Sequence, residues 1–182
     1  MKYRHDQGVG TADSRLIVIR GNSGSGKSEL ARSIREARPR GVAILGHDQL
    51  RREILHLRDR PGNLTVEFYD LTARFILERG LHLVIEGILH EEIYGDVLRR
   101  LIADHRGITR CYRYDLSFEE TAQRHRGKPL AAVVNEDTLR SWYREHDPLH
   151  GVDEHVIDAG SDLASTTARV LADCGWGSHQ SR

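Results

Sequence analysis

Gly21-Asn22-Ser23-Gly24-Ser25-Gly26-Lys27-Ser28, written GNSGSGKS, matches the phosphate-binding pattern G-x-x-x-x-G-K-[ST] without interruption. Both flanks suit the motif. Leu16-Ile17-Val18-Ile19 just upstream reads as a buried strand. Glu29, Leu30, Ala31, Ile34 and Ala37 just downstream read as a helix, with Leu30 and Ile34 one turn apart. Strand, glycine turn and helix start are the geometry such a loop needs. The glycines let backbone N–H groups wrap an oligophosphate without Cβ clashes, and the helix start adds a partial positive charge. Lys27 would reach the β- and γ-phosphates of ATP, and the Ser28 hydroxyl would join a Mg²⁺ shell. The rival reading, a glycine-rich turn ahead of an ordinary helix, leaves the agreement of the motif and both flanks to chance.

The alternation continues outward. Strands are expected at 15–20, 42–46, 81–86, 109–115 and 154–158, and helices at 27–38, 48–58, 64–79, 91–105, 117–125, 135–146 and 161–174. In the third helix Leu64, Phe68, Leu71 and Phe75 recur at i, i+4, i+7 and i+11 as one apolar stripe, and Gly80 stops it. Ser117 with Glu120 three residues on is a capping box. Strands alternating with helices imply an α/β fold, a five-stranded parallel sheet with helices on both faces. Ligands then bind at the carboxyl ends of the strands. Residues 1–14 read as a flexible arm and 175–182, apart from Trp176, as a flexible tail, around a single domain over 15–174.

Composition narrows the function. The 182 residues are 38% hydrophobic and 30% charged, with 27 basic and 27 acidic side chains, as expected of one soluble domain. A zero net charge argues against a protein built to hold long nucleic acid. The longest strongly apolar run near the start is four residues, so no signal peptide and no membrane span are read. Cys111 and Cys174 sit in apolar segments and read as reduced thiols of a cytoplasmic protein. His146 and His150 are four apart, but Pro148 between them breaks the helical face that a metal pair needs.

Functional side chains should follow the strands. Asp48, 21 residues past Lys27, stands just after the second strand. A carboxylate there would accept or orient an acceptor hydroxyl proton; as a plain helix N-cap it would do neither. Arg51 is placed to anchor an anionic part of the acceptor, whereas Arg52 reads as a solvated helix residue. Glu86 ends a buried apolar strand, where a carboxylate has few structural reasons to be. Beside a triphosphate it would order a Mg²⁺ water or the metal itself, sharing it with Ser28; in the empty protein it would bridge to Lys27. Arg124-His125-Arg126-Gly127-Lys128, then Pro129, reads as a movable lid whose guanidinium reaches the transferring phosphoryl group, Arg126 first and Arg124 second. A basic turn at a helix exit has the same composition.

With these residues in view, the chain from about Leu16 to Ala172 resembles the small P-loop kinases: chloramphenicol phosphotransferase, the polynucleotide 5′-kinases and the zeta-toxin kinases. The resemblance rests on GNSGSGKS, Asp48 within GHDQLRREI, RYDLSFEET and the basic RHRGK stretch. Leu139-Arg140-Ser141-Trp142-Tyr143 is similar to the helix after the lid in polynucleotide kinases, and Ile85-Glu86-Gly87-Ile88-Leu89 to the corresponding segment of uridine kinases. The resemblance implies a P-loop NTPase fold with a short lid and ATP and Mg²⁺ as cofactors. It implies Asp48 as base, Lys27 with Arg124 or Arg126 on the phosphates, and Arg51 on the acceptor. No N-K-x-D guanine motif and no H-R-D or D-F-G signature is present. The leading expectation is an ATP-dependent phosphotransferase for a hydroxyl of a nucleoside, sugar or antibiotic. A 5′-hydroxyl polynucleotide kinase is favoured by the Arg51, Arg52, Arg58 and Arg60 cluster and disfavoured by the net charge. A nucleotide-binding ATPase switch would not need Asp48. The oligomeric state is left open.

Overall fold

The computed structural model describes residues 8–38, 40–127 and 134–177. Five strands lie within them: β1 (Arg15–Arg20), β2 (Val42–Gly46), β3 (His82–Gly87), β4 (Ile108–Tyr114) and β5 (Glu154–Ile157). The α-helices there are α1 (Lys27–Ala37), α2 (Leu64–Glu78), α3 (Glu91–Asp104), α4 (Phe118–Arg126), α5 (Glu136–Trp142) and α6 (Leu163–Asp173). All strands pair in parallel, in the order β2-β3-β1-β4-β5. This is the expected α/β architecture.

β1 takes the centre because its sequence suits no other place. A middle strand covered on both faces has no solvent side, so it reads as a continuous apolar run. Leu16, Ile17, Val18 and Ile19 are all fully buried. Leu16 and Val18 join Leu83, Ile85 and Cys111 against α2 and α3, while Ile17 and Ile19 join Val84, Tyr112 and Ile157 against α1 and α6. Each such side chain contributes about 1.5–3 kcal/mol on burial. The register then places the site. Glu86 on β3 lies beside Ile19 on one side and Gly46 on the other. Three strands therefore end at one level, and the phosphate-type loop, Asp48 and Glu86 leave the same edge.

α2 forms where expected but faces the other way. Leu64, Leu71 and Phe75, three of its four stripe residues, are 57%, 42% and 49% exposed, whereas Thr65, Tyr69, Ala73 and Leu77 are buried. Both sets are helical stripes, so periodicity alone does not choose between them. Tyr69 decides the face: its ring meets His47 and Tyr94 edge-on and its hydroxyl donates to the Leu45 carbonyl. Arg74 adds to this, pairing with Asp70 at 2.9 Å and with Asp104 of α3 at 2.7 Å.

The helix expected at 48–58 is instead a π-helical turn, Gln49–Ile54, closed by the Leu55 N–H on the Leu50 carbonyl. It cannot continue, because His56 adopts a left-handed φ of 51°. The helix expected at 135–146 stops at Trp142, where Tyr143 turns extended and begins a strap toward β5.

Residues near both ends of the described chain make packing contacts. Val9 is buried and pairs with His105 beyond α3, and Trp176 packs edge-on against His82. The Ser14 hydroxyl and His105 Nε2 are 2.8 Å apart, and His105 Nδ1 lies 2.9 Å from the Thr109 hydroxyl. Burial, helped by the charge of Arg15, lowers the His105 pKa to about 4. The unfolded chain therefore takes up this proton first, near pH 6.5. Stability conferred by neutral His105 is complete above that pH and is lost as pH falls toward about 4. Urea midpoints taken across this window should decline, and His105→Gln should flatten the decline. Parallel declines in both proteins would exclude His105 as the cause.

Candidate active site

The loop between β1 and α1 is shaped by three glycines with left-handed φ: Gly21 at 144°, Gly24 at 84° and Gly26 at 110°. At Gly24 the space matters as well, since a Cβ would lie 3.1 Å from the Thr121 carbonyl of α4. Gly26 caps α1 and carries no side chain over its first turn, leaving the helix start open to a ligand's approach. Lys27 folds back over the loop, donating to the Asn22 carbonyl at 2.7 Å and to Ser25 Oγ at 3.3 Å. This is a cradle of backbone donors with one ammonium, suited to an oligophosphate.

Ser28 Oγ donates to Glu86 Oε2 at 3.1 Å. The two oxygens assigned to a metal from sequence are therefore adjacent, one from each side of the cavity. Gly46 makes the space, because a Cβ there would lie 3.0 Å from Glu86 Oε1. Gly87 is required for another reason: its Cβ would meet Cβ of buried His47 at 2.4 Å. Hard oxygen ligands of this kind suit Mg²⁺, which keeps several waters and takes few protein groups. Among the described residues no cluster of three or more His, Cys, Asp or Glu is set to bind a metal unaided. The ion would need phosphate oxygens to complete its shell.

Asp48 opens onto the same cavity, about 490 Å³ in volume, together with Ser23, Gly24, Lys27, Ser28 and Glu86. Its backbone is helical and its side chain makes no capping bond. The N-cap role is therefore absent. The carboxylate instead accepts from Arg51 Nη2 at 3.1 Å and pairs with Arg52 Nε at 3.3 Å.

Arg51 does not stand open to an acceptor. It holds Asp48, donates to the Leu57 carbonyl and pairs with Asp59 at 3.7 Å, with its side chain 13% exposed. Arg52 lies over the Trp142 ring, 5.2 Å from its centre. Behind Arg51, Tyr94 donates to Asp59 at 2.6 Å and His47 Nε2 lies 3.3 Å from the same carboxylate. Burial pushes the Asp59 pKa up, but the His47, Tyr94 and Arg51 contacts outweigh it and hold the group below its ordinary value.

The two arginines expected in the lid take different partners. Arg124 donates to the Ser25 carbonyl of the loop at 3.1 Å and is aligned by Glu120 at 2.6 Å. Arg126 is 69% exposed and faces Glu136 at 3.5 Å, outside the cavity that holds Lys27. Lys128 and Pro129 lie outside the described residues. α4 and α5 pack through Phe118, Ala122 and Leu139, with the Arg140 guanidinium 3.7 Å from the Phe118 ring centre. Arg124→Ala should lower turnover by about tenfold to a hundredfold, the worth of one charge-assisted bond. Arg126→Ala should change it less than about threefold. Equal losses in steady-state assays would place Arg126 at the site beside Arg124.

Two contacts escaped the sequence reading. Asn22, within the loop, bonds both ways to the Arg144 backbone, accepting from N–H at 3.0 Å and donating to C=O at 2.7 Å. Arg20, the residue before the loop, is 1% exposed and ion-paired. A charge ending a buried strand is the signal that singled out Glu86, and it applies equally to Arg20.

No protein-family pattern matches the chain, and no curated protein matches its sequence. Solved structures do resemble it. A gluconokinase from Sinorhizobium meliloti is 19% identical, with a TM-score of 0.63 over 93% of each chain. The APS kinase of Mycobacterium tuberculosis, solved with AMPPNP and APS, is 16% identical, with a TM-score of 0.65 over 88% of this chain and 96% of that one. A tunicamycin resistance protein from Deinococcus radiodurans is 17% identical, with a TM-score of 0.56 over 89% and 96%. At such identities the likeness establishes the fold alone, a five-stranded parallel sheet with helices that these kinases share. No helix among the described residues is long and apolar enough to cross a membrane.

Proposed function

We propose that the protein is an ATP-dependent phosphotransferase acting on a hydroxyl of a small molecule, such as a nucleoside, sugar or antibiotic. The observation that carries this is Asp48. Its carboxylate opens onto the cavity that holds Lys27 and Ser28, does no capping, and is held by two arginines. A nucleotide switch without an acceptor has no use for that carboxylate. The acceptor oxygen bonds to the γ-phosphorus as the bond to the β–γ bridging oxygen breaks. ADP leaves, and the hydroxyl proton passes to Asp48. Lys27 and the loop amides hold the phosphates through the reaction, and Arg124 steadies the loop from α4. Mg²⁺, held by Ser28 and Glu86, would offset phosphate charge when bound.

The acceptor side favours a small molecule over a nucleic-acid end. Arg51 and Arg52 are engaged by Asp48 and Asp59 rather than turned outward as a phosphate-binding track. A reducing cytoplasm suits the cysteines: both are free and buried, with burial raising Cys111 to about 12 and Cys174 to about 11. The test is transfer of labelled phosphate from ATP across nucleosides, sugars, aminoglycoside and chloramphenicol-type antibiotics and 5′-hydroxyl oligonucleotides. Label passing only to oligonucleotides would overturn the small-molecule reading.

A further inference from the structure

Arg20 ends β1, adjoins Gly21, and takes no part in the chemistry above. Its guanidinium makes five hydrogen bonds, one for each N–H it carries. Nε and Nη2 both donate to the Leu89 carbonyl, at 3.0 and 2.9 Å. Nη2 also donates to the Asp147 carboxylate at 3.0 Å. Nη1 donates to the Asp147 carbonyl at 3.1 Å and to Glu154 at 2.9 Å. A buried charge is tolerated only when fully paired, and three separate segments meet here to pair this one.

One of those segments, that of Leu89, walls the phosphate cavity, and another is tied to the loop. Leu89 is a fully buried non-glycine residue with a left-handed φ of 45°. Such a conformation persists only where its surroundings hold it, and the Leu89 carbonyl is what Arg20 grips. The turn from Glu86 to Leu89 carries three residues of the cavity wall, Glu86, Gly87 and Ile88. On the other side, Asp147 accepts the first amide of α3, from Glu91, at 3.2 Å. Three residues before it, the Arg144 backbone is locked to Asn22 of the loop. One guanidinium thus ties the Glu86–Leu89 wall, and the strap that holds Asn22, to the strand from which the loop springs.

We infer that Arg20 is a positioning residue for the metal side of the phosphate site: it holds the Glu86–Leu89 turn where the Glu86 carboxylate meets Ser28. This rests on the site binding a nucleotide. Removing Arg20 should release the turn while leaving the loop amides and Lys27 in place. ATP binding without metal should then be nearly kept, and the gain that Mg²⁺ adds should be lost.

The test is calorimetry of ATP binding in EDTA and in Mg²⁺, with amide exchange, on the whole chain and on Arg20→Lys. Expected are less than a threefold change in EDTA, at least a tenfold loss in Mg²⁺, and faster exchange at 86–91 with 16–19 unchanged. A lower melting temperature with the Mg²⁺ gain intact would mean a structural role only and overturn the inference. If Arg20→Lys does not fold, Asp147→Asn loosens the same clamp while keeping an acceptor, and the same two results decide. Parent protein that binds no ATP would instead overturn the nucleotide reading, and this inference with it.

Discussion

Lys27→Ala should abolish phosphoryl transfer, by about a thousandfold or more in kcat/KM, while the protein stays folded. Lys27 is 7% exposed, and its ammonium lies against the Asn22 carbonyl and Ser25 Oγ, within the loop it would cover. With ATP bound, the ammonium would turn from these acceptors to the β- and γ-oxygens, as charge-assisted bonds in a partly desolvated site. Alanine removes the charge where negative charge gathers in the transition state. The fold should survive, because the sheet core does not include Lys27 and alanine favours α1. The measurements are steady-state turnover with the true acceptor and a thermal melt of the same sample. Turnover near that of the parent would refute the kinase reading, and an unfolded variant would show that Lys27 is structural.

Asp48→Asn should lower transfer by about a hundredfold or more, the usual scale for a lost general base, with ATP affinity changed little. Asparagine keeps the size and the oxygen that accepts from Arg51. It loses the negative charge that would take the acceptor proton and that Arg51 and Arg52 share. Stability should change little, since the side chain is 53% exposed and does not cap the helical turn. Full activity in Asp48→Asn would place the acceptor chemistry elsewhere on the sheet edge. A parallel fall in ATP binding and turnover would assign Asp48 to nucleotide binding instead.

These two residues were legible because each carries a local signature. Lys27 sits in an eight-residue motif between a strand and a helix, and Asp48 follows an apolar strand at the same sheet edge. Glu86 was legible for the same reason. Composition gives three cations in five residues without direction, so it does not tell which partner each arginine takes. Glu120, one turn before Arg124, draws that guanidinium onto the Ser25 carbonyl, while Glu136 of α5 takes Arg126. Arg51 looked like an acceptor anchor, because Asp59 and the Leu57 carbonyl, its other partners, lie in a segment whose irregular path only packing defines.

The chain's sequence by itself determined the five parallel strands, the loop and the sheet edge that carries the candidate site. Those properties follow from short-range rules: a continuous apolar run for a covered strand, glycines where φ is positive, and a helix start behind them. Tertiary structure alone decided which face of α2 is buried, where the helix after β2 breaks, and what Arg20, Arg51 and Asn22 hold. Each of those depends on partners far along the chain: Tyr69 with Tyr94, Arg20 with Leu89, Asp147 and Glu154, and Asn22 with Arg144. A buried ring or a buried charge settles where its partners are. That is a property of the packed molecule rather than of any stretch of it.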